Sequence, residues 1–194
     1  MNYKVKLKGI RGFAFDVDGV FTTGSVMCLP DGDLIRTYNA KDGFGLRMAF
    51  MNDYKIAIIS GGESESIKKR FMPTLANEVY MGSRNKVPTF LEFCKKYNLK
   101  PEEVAYVGDD LPDIPVLQIC GLAVCPADAV EEVKAVCDYV SLYRGGKGCV
   151  RDLVEQVLKI QGKWAFNPNH YKDWREKRDE AFEEMYHKGK PAEE

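Results

Sequence analysis

The chain has 194 residues, enough for one α/β domain and a short appendage, with 45% hydrophobic and 29% charged residues. Its 28 basic and 29 acidic residues are mixed along the chain and leave a net charge of −1, which excludes the basic stripe that a nucleic-acid binder needs. No apolar run approaches the roughly 18 residues of a membrane span, and the lysine-rich start MNYKVKLKGIRGF has no apolar signal core, so neither a nucleic-acid nor a membrane partner is expected, and a cytoplasmic location is.

In chain order, IRGFAFDV (10–17) is apolar and predicts a first strand that closes on Asp16. Residues 25–38, SVMCLPDGDLIRTY, set Pro-Asp-Gly-Asp between two short β-prone runs. They predict a hairpin over about 24–38. A hairpin projecting from a sheet has edges that need cover, and a partner subunit is the expected source. DGFGLRMAFMNDY predicts a helix with Phe44, Leu46, Met48 and Met51 near one face. KIAIIS (55–60) predicts the next strand and ESESIKKRF a helix after it. NKVPTFLEFCKKYN places Val87, Phe90, Leu91 and Cys94 at i, i+3, i+4 and i+7 of another helix. EVAYVGDD, GLAVC and DYVSL read as strands, AVEEVKAV as a helix capped by Asp128, and CVRDLVEQVLKI as a further helix.

Strands alternating with helices predict an α/β fold, a doubly wound parallel sheet with helices on both faces. The nearly continuous apolar strands agree, because such strands are buried on both sides. The expected domain is 1–161, followed by a densely charged tail, 162–194, carrying a surface helix with Trp174, Phe182 and Met185 that frays at GKPAEE. The six cysteines, Cys28, Cys94, Cys120, Cys125, Cys137 and Cys149, form no C-x-x-C pair, and the two histidines sit in the tail. Reduced thiols are expected rather than a zinc site.

Four short pieces carry the chemistry. Asp16 and Asp18 follow the first strand, and ligands of open parallel sheets bind at the carboxyl ends of strands. Gly19 permits a tight turn there. Two neighbouring carboxylates repel unless a cation or a proton separates them, so the pair implies a metal, a protonated acid or both; a solvated turn is the plain alternative. Ser60-Gly61-Gly62 ends the KIAIIS strand ahead of a helix, where a hydroxyl and free amides suit a phosphate, although the same tripeptide also serves as a simple cap. Arg84-Asn85-Lys86 opens a helix, from which Lys86 could neutralise a phosphoryl group. Gly108-Asp109-Asp110, with Asp113 beyond, could complete an oxygen-rich magnesium site.

In this order, and over residues 9–160, the four pieces resemble the signature motifs of the haloacid dehalogenase superfamily of phosphotransferases. The resemblance implies a Mg²⁺-dependent phosphatase. Asp16 is then the nucleophile that forms an aspartyl phosphate, and Asp18 the general acid and base. Ser60 and Lys86 hold the phosphoryl oxygens. Asp16, the backbone carbonyl of Asp18 and Asp109 hold the metal, with Asp110 and Asp113 as supporting acids. Between Asp18 and Ser60 there is room only for the hairpin and one helix, not for a cap domain.

The wider pattern, DVDGVFTTG, hairpin, NAKDGFG, YMG, YVGDDLPD and GGKG, is similar to one branch, the capless tetrameric phosphatases of 3-deoxy-D-manno-octulosonate 8-phosphate (KDO 8-phosphate). That likeness implies a 2-keto-3-deoxy sugar acid phosphate as substrate and a homotetramer assembled through the hairpin. It also implies substrate contacts at Asn39, Lys41, Gly61 and Glu63 and at Arg144, Gly145, Gly146 and Lys147, with Gly145-Gly146 equally readable as a flexible turn. Glu63 departs from the arginine often found in that neighbourhood. An acid there is unfriendly to a substrate carboxylate, which makes 2-keto-3-deoxynononate 9-phosphate the second choice. Two other readings are a receiver-type phospho-acceptor and a non-catalytic sugar-phosphate binder. The receiver has its acids in the wrong order, and retention of Asp18 argues against loss of catalysis.

Overall fold

In a computed structural model, residues 2–186 are described except Asp31, Asp33, Pro73 and Thr74. The chain divides into two compact units, Met1–Trp164 and Ala165–Glu194. In the second, α8 (Pro168–Tyr186) carries stacked Tyr171 and Trp174 rings. The fraying expected at GKPAEE, and the side chains of Phe182 and Met185, lie outside what is described.

The first unit is built on a six-stranded parallel sheet. Its strands are β1 (Gly12–Phe15), β4 (Lys55–Ile59), β5 (Glu78–Tyr80), β6 (Val104–Val107), β7 (Leu122–Cys125) and β8 (Tyr139–Val140). Their order across the sheet is β5-β4-β1-β6-β7-β8. Order reverses at β1, which pairs Phe15 with Ile58 on one side and with Val107 on the other. The carboxyl end of β1 is therefore a switch point, where a doubly wound sheet opens a crevice.

Strand alternation divides the core. Phe13, Phe15, Ile56, Ile58 and Val107 point to one face, where they meet α2 (Ala40–Met51), α3 (Glu65–Phe71) and α7 (Cys149–Ile160). Ala14, Ile59, Val104 and Tyr106 point to the other, against α4 (Lys86–Lys96), α5 (Ile114–Leu117) and α6 (Glu131–Val136). Both faces are covered, as the continuous apolar strands predict.

The hairpin forms from β2 (Met27–Cys28) and β3 (Leu34–Ile35), paired antiparallel. Gly32 turns with φ +88°. Val26, Met27 and Ile35 are exposed upon it.

Some local expectations change. In α4, Leu91 is exposed and Phe93 takes its place beside Phe90 and Cys94, because turning the helix toward the larger ring buries more apolar area. Asp128 caps no helix. α6 starts after Val130, and Asp128 instead accepts the amide of Gly145 at 2.9 Å. Short elements escape the pattern reading, among them the single turns α1 (Tyr3–Lys6) and α5 and the three half-buried residues of edge strand β5. Among the six thiols, which are all free, Cys94, Cys125 and Cys149 are buried and Cys28 is exposed.

Candidate active site

The turn after β1 is built to aim two carboxylates. The Asp16 amide still bonds to Val107, extending the ladder. The chain then coils, with the amides of Val20, Phe21 and Thr22 all donating to the carbonyl of Val17. The Thr22 hydroxyl receives the amides of Gly19 and Gly24 and lies 3.4 Å from Asp18. Gly19 has φ +81°, and a Cβ there would lie 1.9 Å from Asp109 Oδ2. Glycine at 19 thus supplies both the turn and the space that the acid of β6 occupies.

A second loop braces this turn. A Cβ on Gly145 would come within 1.8 Å of the Gly19 carbonyl, and the Gly146 amide donates to Val20 at 2.9 Å. The two glycines expected at a substrate loop therefore lie against the backbone of the Asp18 turn.

Opposite, the loop after β6 folds around Asp113. This fully buried carboxylate accepts from Lys86 Nζ at 2.6 Å and from the Tyr106 hydroxyl at 2.7 Å. The amides of Asp109 and Asp110 complete its partners at 3.0 and 3.3 Å. Lys86, itself buried, also reaches Asp16 Oδ1 at 2.9 Å. A lysine at the first position of a helix faces the positive end of the dipole. Two carboxylates offset that repulsion, and the ammonium of Lys86 ends at the mouth of β1.

These groups line a cavity of about 410 Å³ with Asp16, Asp18, Ser60, Gly61, Lys86 and Asp109 on its wall, a volume suited to a small metabolite. Oxygens of Asp16, Asp109 and Asp113 lie within 4.8 Å of one another. Burial, followed by the charge of Asp113, pushes the Asp16 carboxyl up to about 7 against the opposing pull of Lys86. Burial and the charges of Asp16, Asp113 and Asp110 push Asp109 up to about 8. Asp109 Oδ1 is buried with no hydrogen-bond partner among the described residues. Asp113 has its oxygens occupied by donors, so the acids left for a cation are Asp16 and Asp109. A hard divalent ion with oxygen ligands fits that donor set.

A sequence profile of the haloacid dehalogenase-like hydrolases matches residues 55–151. The 3-deoxy-D-manno-octulosonate 8-phosphate phosphatase of Escherichia coli K12 is 37% identical over 158 residues, covering 81% of this chain and 84% of that protein. The chain belongs to the haloacid dehalogenase-like hydrolases, in the branch that holds this relative. Solved structures of haloacid dehalogenase-like members agree. The same phosphatase from Moraxella catarrhalis, in complex with magnesium, phosphate and KDO, superposes with a TM-score of 0.81 at 30% identity, covering 84% of this chain and 93% of that one. The cobalt-bound enzyme of Haemophilus influenzae gives 0.81 at 30% identity, covering 86% and 99%.

Not every residue expected at the site reaches this hydrolase's acidic cavity. Ser60 is buried on its wall, its Oγ accepting the Gly62 amide at 3.2 Å. Glu63 is exposed, lies against Gly82 and is absent from the wall. Lys41 and Lys147 line a separate cavity of about 290 Å³ with Tyr143 and Arg151. Asn39 caps α2 by accepting the Lys41 amide, and its side chain donates to the Gly146 carbonyl at 3.4 Å. Arg144 is exposed.

Two cations were not singled out in the sequence. Arg84 lines the cavity, and its place two residues before Lys86 was the available signal. Arg36 lies just beyond β3, and its guanidinium holds both oxygens of Asp18, Nε to Oδ1 at 2.7 Å and Nη2 to Oδ2 at 3.0 Å. Nothing in a hairpin sequence signals that contact.

Proposed function

We propose that this hydrolase removes the phosphoryl group of a 2-keto-3-deoxy sugar acid phosphate, KDO 8-phosphate, with Mg²⁺ as cofactor. The observation that carries the reading is the ion-paired triad of Asp16, Lys86 and Asp113 beside an oxygen of Asp109 that has no partner among the described residues, in a chain 37% identical to a KDO 8-phosphate phosphatase.

Asp16 attacks phosphorus, forming its Oδ–P bond as the ester P–O bond breaks. Asp18 gives its proton to the departing sugar oxygen. Asp18 then takes a proton from water, whose oxygen attacks phosphorus and displaces the Asp16 carboxylate. Ser60 and Lys86 hold the phosphoryl oxygens, and Lys86 offsets the repulsion between phosphate and a carboxylate nucleophile. Asp16, Asp109 and the backbone carbonyl of Asp18 would hold the metal, which when bound supplies positive charge to the phosphoryl oxygens.

The sugar follows from the relatives and from the position of Glu63. Standing outside the cavity, that acid does not oppose a substrate carboxylate there, which removes the main argument for the nine-carbon sugar. The exposed apolar residues Val26, Met27 and Ile35 of the hairpin support a homotetramer joined through it. No helix among the described residues is long and apolar enough to cross a membrane. Buried free thiols support a reducing, cytoplasmic setting.

The test is phosphate release from a panel holding the eight- and nine-carbon acids and simple hexose phosphates, with Mg²⁺ and with EDTA. The eight-carbon substrate is expected to give the highest kcat/KM, and EDTA to abolish turnover. Preference for a hexose phosphate would overturn the substrate.

A further inference from the structure

The hairpin is placed to do more than assemble subunits. Arg36 leaves the end of β3 and turns inward until its side chain is only 3% exposed. Its target, Asp18, keeps 35% of its side chain open and lines the acidic cavity, whereas Arg36 does not. The arginine therefore lies behind the carboxylate. Its guanidinium approaches with two parallel bonds, one to each oxygen. Nη1 adds a long contact to the Leu34 carbonyl at 3.5 Å, and Nη2 passes 3.7 Å from where a Gly62 Cβ would stand. Among the described residues, Thr22 is the other side chain bonded to Asp18, at the weak distance of 3.4 Å.

A fork of this kind fixes the plane of a carboxylate as well as its position. Asp18 sits in a turn whose backbone is secured by Val17 and Gly146, while among the described residues the fork of Arg36 is the strong restraint on its side chain. An acid that must meet the leaving oxygen and later a water needs its orientation held to within a fraction of an ångström.

We infer that Arg36 is a positioning residue for the acid/base Asp18, so that the β2–β3 hairpin forms part of the catalytic apparatus. The inference rests on the phosphatase reading above. Arg36 does not line the cavity and is placed to act on the chemistry through Asp18. Replacing it lowers kcat and leaves KM nearly unchanged. Because a lysine keeps the charge but loses the fork, Arg36→Lys recovers only part of the rate.

The test is a double-mutant cycle with wild type, Arg36→Ala, Asp18→Asn and the double variant. Phosphate release is measured with Mg²⁺ on whichever phosphomonoester of the panel the wild type hydrolyses best, using high enzyme concentrations for the slow variants. Arg36→Ala is expected to lower kcat on the order of 100-fold with KM within about threefold. In the Asp18→Asn background, the same change is expected to alter kcat by less than about twofold, because the group it orients is gone. Should Arg36→Ala fail to fold, Arg36→Lys enters the same cycle, with roughly a tenfold loss in kcat expected from the missing fork. Full additivity of the two losses, or a loss confined to KM, would overturn the inference while leaving the phosphatase standing. A wild-type chain that hydrolyses no phosphomonoester removes both.

Discussion

Lys86 Nζ lies 2.6 Å from Asp113 Oδ1, with both side chains buried. Asp113 has the Tyr106 hydroxyl and two loop amides as further donors. Removing it leaves an ammonium, a phenol and two amides short of their acceptor. Asp113→Ala is therefore expected to destabilise the protein by about 3 kcal/mol or more, the cost of breaking a buried ion pair from one side, measured by urea unfolding. Asp113→Asn keeps the shape and part of the bonding and is expected to lose less stability. Both variants should lose turnover because Lys86 is no longer held toward Asp16.

The proposed metal site links metal and pH through Asp16 and Asp109. Their carboxyls are raised to about 7 and about 8, above the ordinary value of 3.8. Between that ordinary value and the raised ones, the folded metal-free protein binds more protons than the unfolded chain, so stability falls as pH rises. The metal-free protein is expected to melt at a lower temperature at pH 8 than at pH 5. Mg²⁺ replaces the protons, so the rise in Tm that it causes should be larger at pH 8. Scanning calorimetry with EDTA or Mg²⁺ checks both, and equal shifts at the two pH values would refute the linkage.

Gly19→Ala tests the space given to Asp109. The new methyl would stand 1.9 Å from Asp109 Oδ2 at a φ of +81°, which alanine resists. A displaced Asp109 weakens metal binding. Turnover is expected to fall on the order of 100-fold, with part of the loss recovered at high Mg²⁺. Titration of activity against Mg²⁺ gives the answer.

Glu63 lies outside the cavity, so Glu63→Arg is expected to change kcat/KM for the eight-carbon substrate by less than about threefold, the scale of an exposed and screened charge. A larger increase would place that residue at the substrate after all.

Charge on the hairpin tests assembly. Met27 and Ile35 are 64% and 46% exposed on paired strands. If the proposed homotetramer forms through the hairpin, a double change to aspartate is expected to lower the native mass from four times the 22.0 kDa chain, read by light scattering. If the mass stays fourfold, the subunits join elsewhere.

The sheet and the acidic cavity were legible in the sequence for a physical reason. Strands buried on both faces must be apolar throughout, and in such a sheet catalytic groups gather where these runs stop. Asp16, Ser60 and Asp109 each follow an apolar run by a residue or two, which is why they could be named. Edge strand β5 has no such signature, because Glu78–Tyr80 is only half buried. The choice of Phe93 over Leu91 depends on a helix rotation that periodicity leaves open by one position. The grip of Arg36 on Asp18 depends on how the hairpin folds back, and local sequence holds no record of it. Asp128 reads as a helix cap because its neighbours are helical, while its real partner is the amide at 145.

The bracing of the Asp18 turn by Gly145 and Gly146 has a consequence for biosynthesis. Asp16 leaves the ribosome well ahead of the loop that steadies the turn after it, which emerges some 130 residues later. A nascent chain would thus carry that carboxylate through the synthesis of those residues without the scaffold that aims its neighbour. On the proposed mechanism, hydrolytic competence would arrive only once Gly145 and Gly146 have emerged and docked against that turn.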